Sequence, residues 1–365
     1  MPRGFSRAAR LYLCPIGLAT GAVAEAQLAA GHGRRLAGGR FVFSTCEVLV
    51  REPDRVLSVV ASLADIAAWA RQLDEAAARR IDELLARLTA SRPPLARLEL
   101  GRPLVMGVIN VTPDSFSDGG DFLNPKAAIA YGRALVEAGA DILDVGGEST
   151  RPGSDPVGAE EEIRRVVSVV EGLARDGAVV SIDTRRAVVM RRALEAGARM
   201  INDVSALTFD RATLDVAAAA AVPVVLMHAR GDPKTMQVDP VYDHAPLDIF
   251  DYLEARVAAC EAAGIPRERL VVDPGIGFGK TVEHNVEILE SLSLLHGIGC
   301  PILLGVSRKS FIGGLSGKEV AKERLPGSLV SGFHGLSQGV QILRVHDVPE
   351  SVQALTVWEA LTRGA

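Results

Sequence analysis

Long apolar runs are scarce in this chain. None reaches the roughly 20 residues that a membrane-spanning helix needs, so no membrane association is expected. The four cysteines, Cys14, Cys46, Cys260 and Cys300, form no CxxC pair and no metal-ligand spacing. That usage fits a reducing compartment, and a cytoplasmic protein is expected. Excess positive charge is missing as well: 40 Lys and Arg stand against 45 Asp and Glu, for a formal net charge of -5. Neither nucleic acid nor an anionic membrane surface is suggested, so any anion has to be met by a local basic cluster. Arg3, Arg7 and Arg10 precede a mildly apolar stretch, and Ala22-Val23-Ala24 resembles a cleavage site. Pro15 and several glycines interrupt that stretch, and no cleaved signal is expected.

Two catalytic motifs fail narrowly. Pro274-Gly-Ile-Gly-Phe-Gly-Lys-Thr281 lacks the first glycine of a phosphate-cradling P-loop. Ser307 sits in Gly305-Val-Ser-Arg-Lys309, where a nucleophile elbow would need glycine at the last position. Neither nucleotide hydrolysis nor serine esterase chemistry follows.

What is present is ordinary globular composition, 48% hydrophobic and 23% charged, with length for a large core. Residues 1–98 read as an α+β extension. It has a loop-rich start, a strand composition over Phe41–Val50, and an amphipathic helix whose apolar face includes Leu63, Ile66, Trp69, Leu73, Ile81, Leu84 and Leu88. Ser91-Arg-Pro-Pro94 reads as a linker. No catalytic constellation falls in this extension, and a packing or interface role is expected.

Residues 99–365 repeat one pattern. Short apolar runs occur at 104–109, 142–145, 178–182, 200–204, 223–227, 270–272, 301–306 and 341–345. Helix-like segments separate most of them, with Gly139, Gly197 and Gly264 at the expected C-terminal caps. Eight such alternations predict a (β/α)8 TIM barrel. A doubly wound sheet would carry a Gly-rich first turn, and here that turn is Asn110-Val-Thr-Pro-Asp114.

Every predicted strand ends in polar residues. The exits carry Asn110, then Asp144, then Asp183, then Asn202-Asp203. Met227-His228, Asp273, Ser307-Arg308-Lys309-Ser310, and Arg344 with His346 and Asp347 follow. Each alone is a weak signal, since an Asp at a strand end is commonly a helix cap and a lone His is commonly a core residue. Their convergence on one barrel mouth identifies a site. Asp183, Asn202 and Asp273 should lie deep, with Lys309 as their cationic partner. Such a set of acceptors, amide and cation suits the edge of a planar nitrogen heterocycle. Arg344 and His346 alternate with Val345 and should point together toward Asn110, in the region where barrels commonly bind phosphate.

These segments, in order, resemble a known family. Gly107-Val-Ile-Asn-Val-Thr-Pro-Asp-Ser-Phe-Ser-Asp-Gly-Gly120 and Asp144-Val-Gly-Gly-Glu-Ser-Thr-Arg-Pro-Gly153 closely resemble two signatures of the dihydropteroate synthase family. Ser181–Thr184, Ile201–Ser205, Asp273–Lys280, Gly305–Ser310 and Arg344–Val348 complete the set. The resemblance implies condensation of 6-hydroxymethyl-7,8-dihydropterin pyrophosphate with 4-aminobenzoate, assisted by Mg2+, in folate biosynthesis. It also implies a sulfonamide-target enzyme and a homodimer. By motif position, the pterin would meet Asp183, Asn202, Met227, Asp273 and Lys309. Pyrophosphate would meet Asn110, Arg344 and His346, and Asn110 and Asp118 would hold Mg2+. Aminobenzoate would lie among Thr150, Arg151, Pro152, Phe278 and Ser310. Asp144, Ser307 and Arg308 are carried over as further substrate contacts. Asn110 should be a fixed anchor, and 114–118 a lid that closes when pyrophosphate and Mg2+ arrive. Ala229 replaces a bulkier residue, and Gly332-Phe-His-Gly335 is an unusual filling for a helix that the family uses in dimer contact. A pterin-binding methyltransferase domain would lack the first two signatures. A non-catalytic pterin-binding paralogue would have damaged loops. A phosphosugar aldolase would need a Schiff-base lysine or a metal-binding His cluster, and neither is apparent.

Overall fold

The computed structural model describes residues 9–112, 125–149, 154–232 and 234–363. The extension begins with strand β1 (Arg10–Ile16) and helix α1 (Gly21–Ala29), then β2 (Thr45–Arg51) and β3 (Val56–Ser62). The three strands form an antiparallel sheet with β2 in the middle. Helices α2 (Leu63–Ala70) and α3 (Glu75–Thr89) follow. The single amphipathic helix expected over this stretch is therefore two. The apolar face continues across both, but Asp74 caps a new start by accepting the Ala77 N–H at 2.9 Å. Strands β1 and β3 were not anticipated. β1 is an edge strand that tolerates Pro15 near its end, and that proline had masked its strand character.

The barrel strands are β4 (Leu104–Asn110), β5 (Ile142–Gly146), β6 (Val180–Asp183), β7 (Met200–Asp203), β8 (Val224–Met227), β9 (Leu270–Asp273), β10 (Leu303–Leu304) and β11 (Ile342–Val345). They pair in the order β9-β8-β7-β6-β5-β4-β11-β10. A parallel bridge from Val272 to Ile302 closes the ring between β9 and β10. These strands are buried along nearly their whole length, which is why each read as a continuous apolar run. Helices α4 (Pro125–Glu137), α5 (Ala159–Arg175), α6 (Ala187–Glu195), α7 (Thr213–Ala220), α8 (Ala245–Ala262), α9 (Val282–Glu290), α10 (Ser310–Ser316), α11 (Leu325–Ser337) and α12 (Val348–Arg363) surround them. Gly139, Gly197 and Gly264 follow their helices with φ of 100°, 109° and 88°, the left-handed geometry that favours glycine.

The tether between extension and barrel does structural work of its own. Leu95 and Leu98 exchange backbone hydrogen bonds of 2.9 and 2.7 Å across Ala96 and Arg97. Both of these central residues have positive φ, 48° and 71°, without being glycine. The turn delivers Leu95, 1% exposed, into the inner cluster of Leu104, Met106, Ile142, Met200 and Val225. The barrel floor is thus corked by the linker.

The extension docks on α8 and reaches as far as α12. Tyr12 Oη donates to both Asp251 carboxylate oxygens at 2.8 and 2.9 Å, and its ring meets Phe250 edge-on at 5.4 Å. Arg51 pairs with Asp248 at 2.6 Å, and Glu254 is held by Arg10, Arg80 and Arg87 at 3.1, 2.7 and 2.6 Å. At the other end, Arg40 pairs with Glu359 at 2.9 Å and lies 5.3 Å from the Trp358 ring.

Candidate active site

The strand exits bring together one hydrogen-bonded cluster. Asp144, fully buried on β5, receives Asn202 Nδ2 at 2.9 Å and Arg344 Nε at 2.6 Å, both on Oδ2. Arg344 Nη2 donates to Asp183 Oδ2 at 2.7 Å. Asp144 Oδ1 is buried with no hydrogen bond among the described residues. Burial alone would lower the Arg344 guanidinium, but Asp144 and Asp183 hold its proton more firmly than usual. Burial pushes the Asp183 carboxyl well above the ordinary carboxylate range, against the pull of Arg344.

This geometry corrects one expectation. The cation on Asp183 is Arg344, where Lys309 was expected. Arg344 reaches inward to two carboxylates, and His346 Nδ1 lies 3.0 Å from Ser307 Oγ. Asp144 has no exposed surface, so it acts on a ligand through Asn202 and Arg344 rather than by contact.

Asp273 is 5% exposed and accepts the Gly275 N–H at 2.7 Å. Burial raises its carboxyl, and the charges of Lys309, Arg344 and Lys280 oppose that. Lys309 Nζ donates to the Ile276 carbonyl and stands 4.7 Å from the centre of the Phe278 ring. Met227 lies opposite Asp273 in the sheet register. Arg308 folds back to make a two-pronged pair with Asp347, and Ser328 Oγ accepts its backbone N–H at 2.8 Å. Arg308 thus braces the turn between β11 and α12, and its expected substrate contact is not what its partners describe. Ser310 is exposed at the start of α10, and Asn110 is half-buried at the end of β4 opposite Gly146. Asp118, Thr150, Arg151 and Pro152 lie outside the described residues, as does the expected lid.

Asp203, also buried at a strand exit, is a turn anchor. It accepts from Ser205 N and Oγ at 2.7 and 2.6 Å and from Leu207 N at 3.1 Å, and burial pushes it up to about 6. His228 is a core histidine, 5% exposed, with Tyr252 edge-on at 4.9 Å.

Two groups were not foreseen. Glu148 takes a two-pronged pair from Arg186 at 2.9 and 3.1 Å, Arg185 at 3.2 Å, and the Val157 N–H at 3.0 Å. It thereby ties residue 157 back to the end of β5. The adjacent arginines after Thr184 were the available signal. Lys280, set aside with the failed P-loop, proves to be buried, with burial holding its amine well below the ordinary lysine value.

Among the described residues no group of three or more His, Cys, Asp or Glu could hold a metal. The amide oxygen of Asn110 is a hard donor, and with one carboxylate it would suit Mg2+ that keeps water and phosphate oxygens as its other ligands.

The profile of the pterin binding enzymes matches residues 106–346. The dihydropteroate synthase of Neisseria meningitidis serogroup B is 47% identical over 272 residues, covering 73% of this chain and 95% of that protein. The chain belongs to the pterin-binding enzymes, among the dihydropteroate synthases. Solved members of that family share its fold. A Xanthomonas albilineans dihydropteroate synthase with 4-aminobenzoic acid is 49% identical with a TM-score of 0.69, over 72% of this chain and 94% of that one. The enzyme of the same species in complex with 7,8-dihydropteroate is 46% identical with a TM-score of 0.67, over 72% and 95%. The extension precedes the residues matched by the family profile.

Proposed function

We infer that this chain joins 6-hydroxymethyl-7,8-dihydropterin pyrophosphate to 4-aminobenzoate, releasing pyrophosphate and 7,8-dihydropteroate. The observation that carries the reading is the unsatisfied carboxylate cluster. Asp183 has one cation and is held above its usual range by burial, Asp273 is raised likewise, and Asn202 is oriented by Asp144, whose buried Oδ1 stays out of a ligand's reach. A flat heterocycle rich in N–H groups supplies the donors that such a cluster lacks. Neither a methyltransferase domain nor a non-catalytic paralogue is favoured, since the relatives at this identity are dihydropteroate synthases.

In this reading Asp183, Asn202, Asp273 and Lys309 fix the pterin, with Met227 beside it. Asn110, His346 and Arg344 meet the pyrophosphate, and the two bonds of Arg344 to carboxylates leave Nη1 unused. Phe278 and Ser310 border the aminobenzoate, together with Thr150, Arg151 and Pro152. The carbon–oxygen bond to pyrophosphate breaks with the electron pair leaving on oxygen, and the electron-rich pterin spreads the resulting positive charge. The neutral arylamine then attacks that carbon and sheds a proton to solvent. No strong base is required, in keeping with the lack of any Ser-His-Asp or Cys-His arrangement in the motifs. Bound Mg2+, held by Asn110 and Asp118, would neutralise leaving-group charge. The enzyme would act as a cytoplasmic homodimer.

The test is release of pyrophosphate from the pterin substrate with and without 4-aminobenzoate. Amine-dependent dihydropteroate formation supports the reading, and pterin binding without it points to a paralogue. Asp118→Ala should impair turnover more than pterin binding; unchanged turnover removes its assigned role.

A further inference from the structure

The segment from Gly275 to Lys280 is pressed against the end of β8. A side chain at Gly275 would come within 1.8 Å of the His228 carbonyl oxygen, and one at Gly279 within 2.3 Å of the Arg230 carbonyl oxygen. Both glycines have φ of 65°, the left-handed region that favours glycine. Three successive carbonyls of the segment are then gripped by side chains. Gln237 Nε2 donates to Gly277 O at 2.6 Å, Lys280 Nζ to Phe278 O at 3.0 Å, and Tyr242 Oη to Gly279 O at 2.8 Å.

Of the three, Lys280 is the buried one, 3% exposed. Its Nζ donates to the Phe278 carbonyl and to the His228 carbonyl at 3.3 Å, and shares a hydrogen bond of 2.9 Å with His228 Nδ1. Burial holds both His228 and Lys280 well below their ordinary values. An Nζ with three protein partners is a tie between two strand ends, and none of its hydrogen-bonding capacity is left for a substrate.

We propose that Lys280 is a positioning residue for the aminobenzoate subsite, acting through Phe278 by tying its carbonyl to His228 at the end of β8. This rests on the reading in which Phe278 borders aminobenzoate. The tie also bears on Lys309, which stands over the Phe278 ring and donates to the Ile276 carbonyl of the same segment. Losing it frees the Phe278 wall of the subsite, while Asp183 and Asn202, on other strands, keep their places.

The experiment compares steady-state kinetics of full-length Lys280→Met, Phe278→Ala and the double variant, with calorimetric titration of a pterin analogue. The wild type's amine-dependent turnover, measured first, tests the parent reaction; an inactive wild type overturns that reading and this one together. Against an active wild type, Lys280→Met is expected to raise the KM for 4-aminobenzoate at least about tenfold and change pterin affinity less than about threefold. In the Phe278→Ala background the same substitution should add less than about twofold, because the two act as one unit. A KM unmoved while the melting temperature falls, or effects that multiply in the double variant, overturns the positioning role alone. If Lys280→Met does not fold, His228 replaces it. His228→Asn keeps an acceptor and should hold the KM within about twofold, and His228→Leu should raise it; equal KM values for the two overturn the proposal.

Discussion

Two arginine–carboxylate clusters built from the same chemistry behave in opposite ways. Where the extension meets α8, both oxygens of Asp248, Asp251 and Glu254 accept at least one hydrogen bond or ion pair. Burial still raises Asp251 against Arg10 and Arg51, but at Glu254 the cations Arg80 and Arg87 overcome burial and pull the carboxyl below the usual range. At the barrel mouth one guanidinium, Arg344, serves both Asp144 and Asp183, and an oxygen is left over. There, burial wins over the single cation and Asp183 rises. The seam is saturated and acts as glue. The mouth is under-supplied with donors, which costs stability and leaves binding capacity for a ligand.

The sharpest way to break this contrast is to remove the shared cation. Arg344→Met should lower turnover by roughly 10²–10³-fold and destabilise the free protein by about 3–5 kcal/mol, because two buried carboxylates lose their partner. Stopped assays and denaturant titration check both. Asp183→Asn separates the two effects. It should weaken binding of a pterin analogue by about 10–100-fold, with a melting temperature unchanged or higher, since the buried charge is gone. A melting temperature that falls in step with affinity would place Asp183 with the glue.

The same residue sets a pH signature. In the free protein its raised pKa means that the folded state binds more protons than the unfolded one above the ordinary carboxylate range. Its contribution to stability therefore falls as pH rises toward about 8. A ligand donating to the ionised carboxyl lowers that pKa, so pterin-analogue affinity should climb across the same window. Asp183→Asn should flatten the climb in calorimetry.

At the seam the expected effects are smaller and confined to stability. Glu254→Gln should cost about 1–3 kcal/mol and leave both KM values alone. Its carboxyl is depressed on folding, so the stability it contributes is present above the ordinary carboxylate range and lost as pH falls through its folded value. Tyr12→Phe, the mildest change, should cost about 1 kcal/mol in denaturant titration. A shift in KM from either would mean that the seam communicates with the mouth.

The barrel was legible because its strands are buried on both faces and so read as apolar runs whatever their neighbours. Polar exits were legible for the same reason, as abrupt ends to those runs. The extension resisted reading where a strand sits at a sheet edge: Pro15 in β1 looked like an interruption, and Asp74 split one apolar periodicity into two helices. Partner choice at the site was illegible on principle. Arg344 lies 200 positions from Asp144 and 161 from Asp183, and no spacing rule spans such gaps. Lys280 was hidden in a motif judged only by what it failed to be.

The turn at Ala96 and Arg97 has a consequence for the order of assembly. Leu95 leaves the ribosome before any barrel strand, on a stretch already following the extension's helices. The eight strands therefore close around a hydrophobic group that is waiting for them, on a pivot pre-bent by two left-handed residues. Cutting the extension away at residue 94 spares this cork, and cutting a few residues later removes it. Two truncations that look alike on paper should give one barrel that is merely uncovered and another with a hole in its floor.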